Sequence, residues 1–259
     1  MVRLILYNVE YLSGCKGRIW EYLLFWKRFF HPRKVEEKVC NEISKFKPGI
    51  VALVEVDKKS FIFGRNYLET FKQKLGMGFG VEKRKYHFVG LFKILKYIPL
   101  FKNNANAIFS KRKIYEPEFF YFSDGFKRAV MKVSINVPEK VSFILLHLSL
   151  GEEARKKQFN ELVKIIKEIK GPLIVMGDFN TYKGEEEVEI LLKKTGLKHK
   201  FKLSSTKRTF TFPTYNPHRR LDYILTSPEI KVKKYDILKF DFSDHLPVLV
   251  DFSVRKKKK

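Results

Sequence analysis

Residues 173–182 read Leu-Ile-Val-Met-Gly-Asp-Phe-Asn-Thr-Tyr. Four apolar side chains run straight into Gly177, Asp178 and Asn180. A short, unbroken apolar run of this kind predicts a strand buried on both faces. The residues before it predict a helix over 152–170, with Phe159, Leu162, Val163, Ile166 and Ile169 on one stripe. Glu152 and Glu153 at its start and Lys167 and Lys170 near its end suit the helix dipole, and Gly171-Pro172 stops it. A helix feeding a buried strand implies an α/β fold.

The same figure recurs outward along the chain. Residues 4–7 end at Asn8, 50–54 at Glu55 and 141–146 at His147, while Asp244 and His245 precede the apolar run 247–254. Further strands are expected at 105–109, 119–122, 129–137, 209–212, 222–225 and 231–238, with 129–137 and 141–146 forming a hairpin around Pro138. Helices are expected at 34–46, where Val35, Val39, Ile43 and Phe46 recur and Pro48 closes, and at 185–194. Residues 61–75 look helical until Gly76, Gly78 and Gly80 break the pattern. There is no 20–50-residue repeat and no Gly/Ser linker, so residues 1–254 are expected to form one domain and 255–259 a flexible basic tail.

Composition narrows the function. The 259 residues hold 53 Lys+Arg against 28 Asp+Glu, a net charge of +25, with 44% hydrophobic residues, enough for a substantial core. Such charge favours a polyanionic partner, with a solvated lysine coat as the plainer reading. No apolar stretch reaches the ~18 residues of a membrane span. The N-terminal apolar run stops at Asn8, unlike a secretory signal, and a cytoplasmic monomer is expected. Two cysteines, Cys15 and Cys40, exclude a four-cysteine zinc site and leave one bridge open. Abundant Lys and Glu with only Gln73 and Gln158 suit a heat-adapted protein, although a low-GC genome would also enrich lysine.

Strands lying side by side would bring the polar ends to one sheet edge. Buried carboxylates are costly unless paired or bound to a cation, so their convergence points to a hard metal ion with oxygen ligands. Each residue alone has a blander reading. A Glu after a strand is usually an exposed loop residue, a lone His is usually a satisfied one, and Asp178 or Asp244 can simply cap a turn. The ordered set carries the inference.

That set resembles the endonuclease/exonuclease/phosphatase superfamily, the deoxyribonuclease I-like metal-dependent phosphodiesterases. The matching segments are LILYNVEYL, GIVALVEVD, NANAIFSK, FILLHLSLG, LIVMGDFNTY, RRLDYILTS and FSDHLPVLVDF, in the family's order. The resemblance implies a four-layer α/β/β/α sandwich, two packed mixed sheets flanked by helices. It implies Mg²⁺ or Mn²⁺ held by Glu55 and Asn8, with Asp244 supporting. Asp178 would orient or deprotonate water, Asn180 would contact the phosphate or nucleophile, and Asp222 would orient His245 at the phosphate. His147 would bind phosphate or protonate the leaving oxygen. Asn106 and Arg128 are expected to bind phosphate.

The expected reaction is hydrolysis of a DNA or RNA phosphodiester by in-line attack of water. The His-Leu-Ser after Leu146 departs from the tyrosine segment that abasic-site endonucleases of this family carry there. Lys83, Arg84, Lys85, Lys111 and Arg112 are candidate contacts to nucleic acid or lipid. Segments 18–33 and 91–102 mix aromatics with cations, which suits single-strand stacking, an anionic membrane surface or ordinary packing on the domain. The alternatives are therefore a phospholipid, sphingolipid or inositol-phosphate phosphoesterase, and a catalytically silent nucleic-acid-binding domain. Glu82 is a weaker candidate as a partner of His147.

Overall fold

The computed structural model describes residues 1–23, 32–57, 67–84, 104–200 and 209–255. Residues 24–31 of segment 18–33, the whole of segment 91–102, Lys85 and the tail beyond Arg255 lie outside the described residues.

Eleven strands among the described residues build two sheets. The first contains β1 (Val2–Asn8), β2 (Ile50–Asp57), β3 (Phe79–Arg84), β4 (Asn104–Ser110), β10 (Ile230–Ile237) and β11 (Val248–Val254), in the order β10-β11-β1-β2-β4-β3. The second contains β5 (Ile114–Tyr121), β6 (Ala129–Asn136), β7 (Lys140–His147), β8 (Leu173–Asp178) and β9 (Asp222–Thr226), in sequence order. Each is mixed: β1 runs parallel to β2 and β7 to β8, and the other pairs are antiparallel.

The sheets pack face to face through Leu4, Leu6, Ala52, Val54 and Ile108 on one side and Met131, Val133, Phe143, Leu145, Ile174 and Met176 on the other. Neighbouring residues in each strand point outward, because side chains alternate along a strand. On the outer face of the first sheet, Ile5, Tyr7, Val51 and Leu53 meet Val39, Cys40 and Ile43 of α2 (Pro32–Lys45) and Phe71 of α3 (Tyr67–Lys74). On the outer face of the second, Ile144, Leu146 and Val175 meet Phe159, Leu162 and Ile166 of α4 (Glu152–Glu168) and Val188 and Leu191 of α5 (Glu186–Thr195). Inner strands such as β1 and β8 are apolar on both faces because each sheet is covered twice, and this four-layer α/β/β/α sandwich is the expected fold. A short α1 spans Ile19–Leu23.

Three expectations change. Residues 79–84 form edge strand β3, which the glycines and the charges Glu82-Lys83-Arg84 hide; lysine on an edge strand is a common guard against further pairing. Residues 209–212 form no strand: Phe212 alone bridges to Arg219, and Pro213 offers no N–H to continue. Residues 61–75 yield a helix only over Tyr67–Lys74 in the described part. Cys15 and Cys40 are buried free thiols. No helix among the described residues is long and apolar enough to cross a membrane.

Candidate active site

Register brings the polar strand ends together. In the parallel pair β1/β2, Asn8 lies opposite Val54, and in the parallel pair β7/β8, His147 lies opposite Asp178. The antiparallel pair β8/β9 places Asp222 opposite Asp178. Two backbone devices aim the side chains. The β2–β4 register shifts between Leu53 and Val56, and Glu55 adopts a left-handed φ of 58° at this bulge. The Asn106 side-chain oxygen accepts the Glu55 N–H at 3.4 Å. At Gly177 a Cβ would overlap the Leu146 carbonyl oxygen, so only glycine lets β8 approach β7 next to Asp178.

Asp178 is the hub. Its Oδ2 accepts from Asn8 Nδ2 at 3.0 Å and lies 3.3 Å from His147 Nε2 and 3.8 Å from His245 Nε2. Its Oδ1 accepts the Asn180 N–H at 2.9 Å, while Asn180 Nδ2 donates to Leu148 O at 2.7 Å and ties the ends of β7 and β8. His245 Nδ1 donates to Asp222 Oδ2 at 2.6 Å, which fixes the ring. Ser243 Oγ donates to Asn8 O at 2.7 Å and receives the His245 N–H at 3.3 Å, anchoring the loop that carries Asp244 and His245. Asp244 Oδ1 lies 4.0 Å from His245 Nε2.

Glu55 and His147 form the other half. Tyr11 Oη donates to Glu55 Oε1 at 2.9 Å, and His147 Nδ1 lies 3.7 Å from the same oxygen. The Lys127 ammonium is in hydrogen-bond contact with His147 Nε2 and lies 3.7 Å from Glu55 Oε1. Among the predicted residues, Asn8, Glu55, His147, Asp178, Asn180, Asp222, Asp244 and His245 are thus gathered, and all are buried.

Burial pushes the Asp178 carboxyl above the ordinary carboxylate range, with Asp222 adding to the push and His245 and Lys127 opposing it. Burial alone would lower the His245 imidazole, but the carboxylates of Asp222, Asp244 and Asp178 outweigh it and raise the pKa. The site is therefore suited to hold a charged imidazolium beside an anion.

The donor set also fits a cation. One ligand atom each from Asp178, Asp222 and His245 falls within 4.8 Å of the others. Asp222 Oδ1 is buried and has no hydrogen-bond partner among the described residues, a costly arrangement in an apolar surrounding. Carboxylate and amide oxygens of Asp178, Asp222, Glu55 and Asn8 are the ligands a hard divalent ion prefers.

Other predicted contacts fall elsewhere. Arg128, expected at the phosphate, turns away: its Nε donates to Phe122 O, and Lys127 reaches the site in its place. Asn106 commits its side-chain oxygen to the Glu55 bulge. Lys83 and Arg84 pair with Asn106 and Ala105 at the site's end of the first sheet, and the Lys83 ammonium lies 4.3 Å from the Phe119 ring centroid. Lys111 and Arg112 follow β4 at its opposite end, roughly 17 Å from Asn106 at ~3.3 Å per residue. Glu82 pairs with Ala107 on that first sheet, whereas His147 belongs to the second.

Lys127 and Tyr11 were not legible as site residues. Both lie outside periodic segments, and Lys127 had a one-residue rival in Arg128. Its signal is positional: it stands just before β6, whose Val130 lies opposite Leu146, beside His147.

Comparison with known proteins supports the family and the fold. Residues 8–245 match the sequence model of the Endonuclease/Exonuclease/phosphatase family. Two curated Vibrio vulnificus proteins, from strains YJ016 and CMCP6 and each described as a UPF0294 protein, are 34% identical over 116 residues, which is 44% of this chain and 39% of theirs. The chain thus spans about two fifths of the length of these relatives. A solved endonuclease/exonuclease/phosphatase from Beutenbergia cavernae superimposes with a TM-score of 0.73 at 16% identity, covering 98% of this chain and 72% of its own. The mannosyl-6-phosphatase of Bacteroides thetaiotaomicron gives a TM-score of 0.67 at 17% identity, covering 98% and 100%. With nearly the whole chain matched and the two-sheet fold shared, this protein belongs to the Endonuclease/Exonuclease/phosphatase family, whose members are hydrolases acting on phosphoester bonds.

Proposed function

We propose that the chain is a divalent-metal-dependent phosphodiesterase, with a nucleic-acid phosphodiester as its substrate. One observation carries the reading: Glu55 from the first sheet and His147, Asp178 and Asp222 from the second converge with His245 within hydrogen-bonding or ion-pairing range. Mg²⁺ or Mn²⁺, held by Glu55, Asn8 and the neighbouring aspartates, would supply charge neutralisation at the phosphate. Asp178 takes the proton of the attacking water as the new P–O bond forms. His245, kept charged and oriented by Asp222, and the Lys127 ammonium face the anionic oxygens. His147 donates to the departing oxygen as the old P–O bond breaks, and Asn180 aligns the nucleophile.

The net charge of +25 favours a long polyanion over a small ester. A lipid phosphodiester is the second reading. It is supported by exposed apolar side chains next in the chain to site residues: Phe126 beside Lys127, and Leu150 after His147. Cleavage assays with Mg²⁺ and Mn²⁺ on single- and double-stranded DNA, RNA, an abasic duplex, a lipid phosphodiester and inositol phosphates separate these. Turnover of DNA or RNA that is lost in Asp178→Ala supports the reading. Turnover confined to the lipid or inositol substrates rejects the nuclease in favour of its alternatives, and tight nucleic-acid binding with no turnover of any substrate rejects hydrolysis.

A further inference from the structure

One buried amide joins the two loops on which Lys127 and His147 depend. Gln158 of α4 is fully buried, and both ends of its side-chain amide bond to them. Its Oε1 accepts the Ser149 N–H at 2.9 Å, two residues beyond His147. Its Nε2 donates to Asp124 O at 2.9 Å and to Lys127 O at 3.0 Å, with Ser149 Oγ also at 3.0 Å. The packing leaves no slack: a Cβ on Gly125, whose φ is +87°, would overlap Ser149 Oγ and Gln158 Nε2. Arg155, one helical turn earlier, clamps the same segment through Leu150 O at 2.7 Å and Ser149 O at 3.3 Å while its fork pairs with Glu187.

We propose that Gln158 is a positioning residue for hydrolysis: its side-chain amide locks the Lys127 loop against the strand end carrying His147, so that the ammonium meets the imidazole. The inference rests on the phosphoesterase reading above. Gln158 touches neither Glu55 nor Asp178 in the contacts described; it acts through the backbone of the residue that supplies the cation. A displacement of about 1 Å at such a group costs up to a hundredfold in rate.

The test is a double-mutant cycle on the full chain, with kcat and KM measured on the substrate the panel identifies. Lys127→Ala is expected to lower kcat/KM about a hundredfold. Gln158→Leu is expected to lower it at least about tenfold alone, but no more than about twofold when Lys127 is already alanine, the margin within which independent sites add. Gln158→Glu keeps the acceptor for Ser149 and, when ionised, loses the donors to Asp124 and Lys127, so it should reproduce this pattern if Gln158→Leu fails to fold. Equal losses in both backgrounds, or no loss in either, overturn the inference. If the wild-type protein cleaves nothing, the phosphoesterase reading fails, and the same cycle is read by calorimetry on inorganic phosphate. There, a Gln158 effect that disappears with Lys127 upholds the positioning role. A phosphate affinity indifferent to Gln158, or no phosphate binding at all, removes it.

Discussion

Asp178 touches Asn8, His147, Asn180 and His245. Replacing it should hurt chemistry more than folding. Asp178→Ala and His245→Ala are each expected to lower turnover at least about a hundredfold while circular dichroism and thermal melts remain native-like; folded variants with near-normal rates would remove both residues from the mechanism. The His245–Asp222 bond makes a spectroscopic prediction. Because the carboxylates raise the imidazole pKa against its burial, Asp222→Asn should move the His245 NMR titration to lower pH by about one unit or more. An unmoved titration would show that the 2.6 Å contact does not control the ring's charge. Both residues were legible in the sequence because each sits at or beside the end of an apolar strand. Lys127 was not, since a loop has no period and only the folded chain shows which of two adjacent cations faces inward. Ser243 and Gln158 were hidden similarly, as their bonds join segments distant in sequence.

At the level of strands, the site's geometry depends on two pairings. The first is β7 beside β8 at Gly177. Gly177→Ala would push a methyl group into the Leu146 carbonyl, and we expect a loss of roughly 2 kcal/mol or more in urea unfolding together with loss of activity; full stability would mean that the strand pair accommodates the methyl. The second is β1 beside β11, stitched by Arg3, which pairs with both oxygens of Asp251 at 2.7 Å and donates to Phe46 O at 2.8 Å. The Arg3 bond holds the Asp251 carboxyl below its ordinary range. A depressed carboxylate stabilises the fold above the unfolded-state pKa near 4, and the contribution fades as pH falls through the lower folded value. Asp251→Asn should therefore cost about 1 kcal/mol at pH 7, since Arg3 is one-third exposed, and progressively less below pH 4. A pH-independent difference would assign the cost to packing. Most strands were legible from their apolar runs, and the hairpin at Pro138 from its spacing. Strand β3 was not, because an edge strand needs neither alternation nor apolarity on its guarded side.

Across the molecule, described cations stand at both ends of the sandwich. Lys83 and Arg84 stand at the site's end of the first sheet and Lys111 and Arg112 at the other. If the polyanion reading holds, binding of a long oligonucleotide should weaken by an order of magnitude or more between 50 and 200 mM salt, as counterion release requires. Lys111→Glu with Arg112→Glu should weaken a long strand more than a short one, read by fluorescence anisotropy. Equal effects on both lengths would place these cations in the site's own field rather than on an extended track. Net charge was plain in the sequence, but its division between two ends depends on strand direction and needed the fold.

The most direct test follows the initial rate of phosphodiester cleavage by the wild-type protein in Mg²⁺ or Mn²⁺, before and after chelation and again after the ion is restored. The rate should be abolished by the chelator, recover with the ion, and be at least about a hundredfold lower throughout in Asp178→Ala. Cleavage that persists in chelator, or that Asp178→Ala performs as well as the wild type, would contradict metal-dependent hydrolysis at this site.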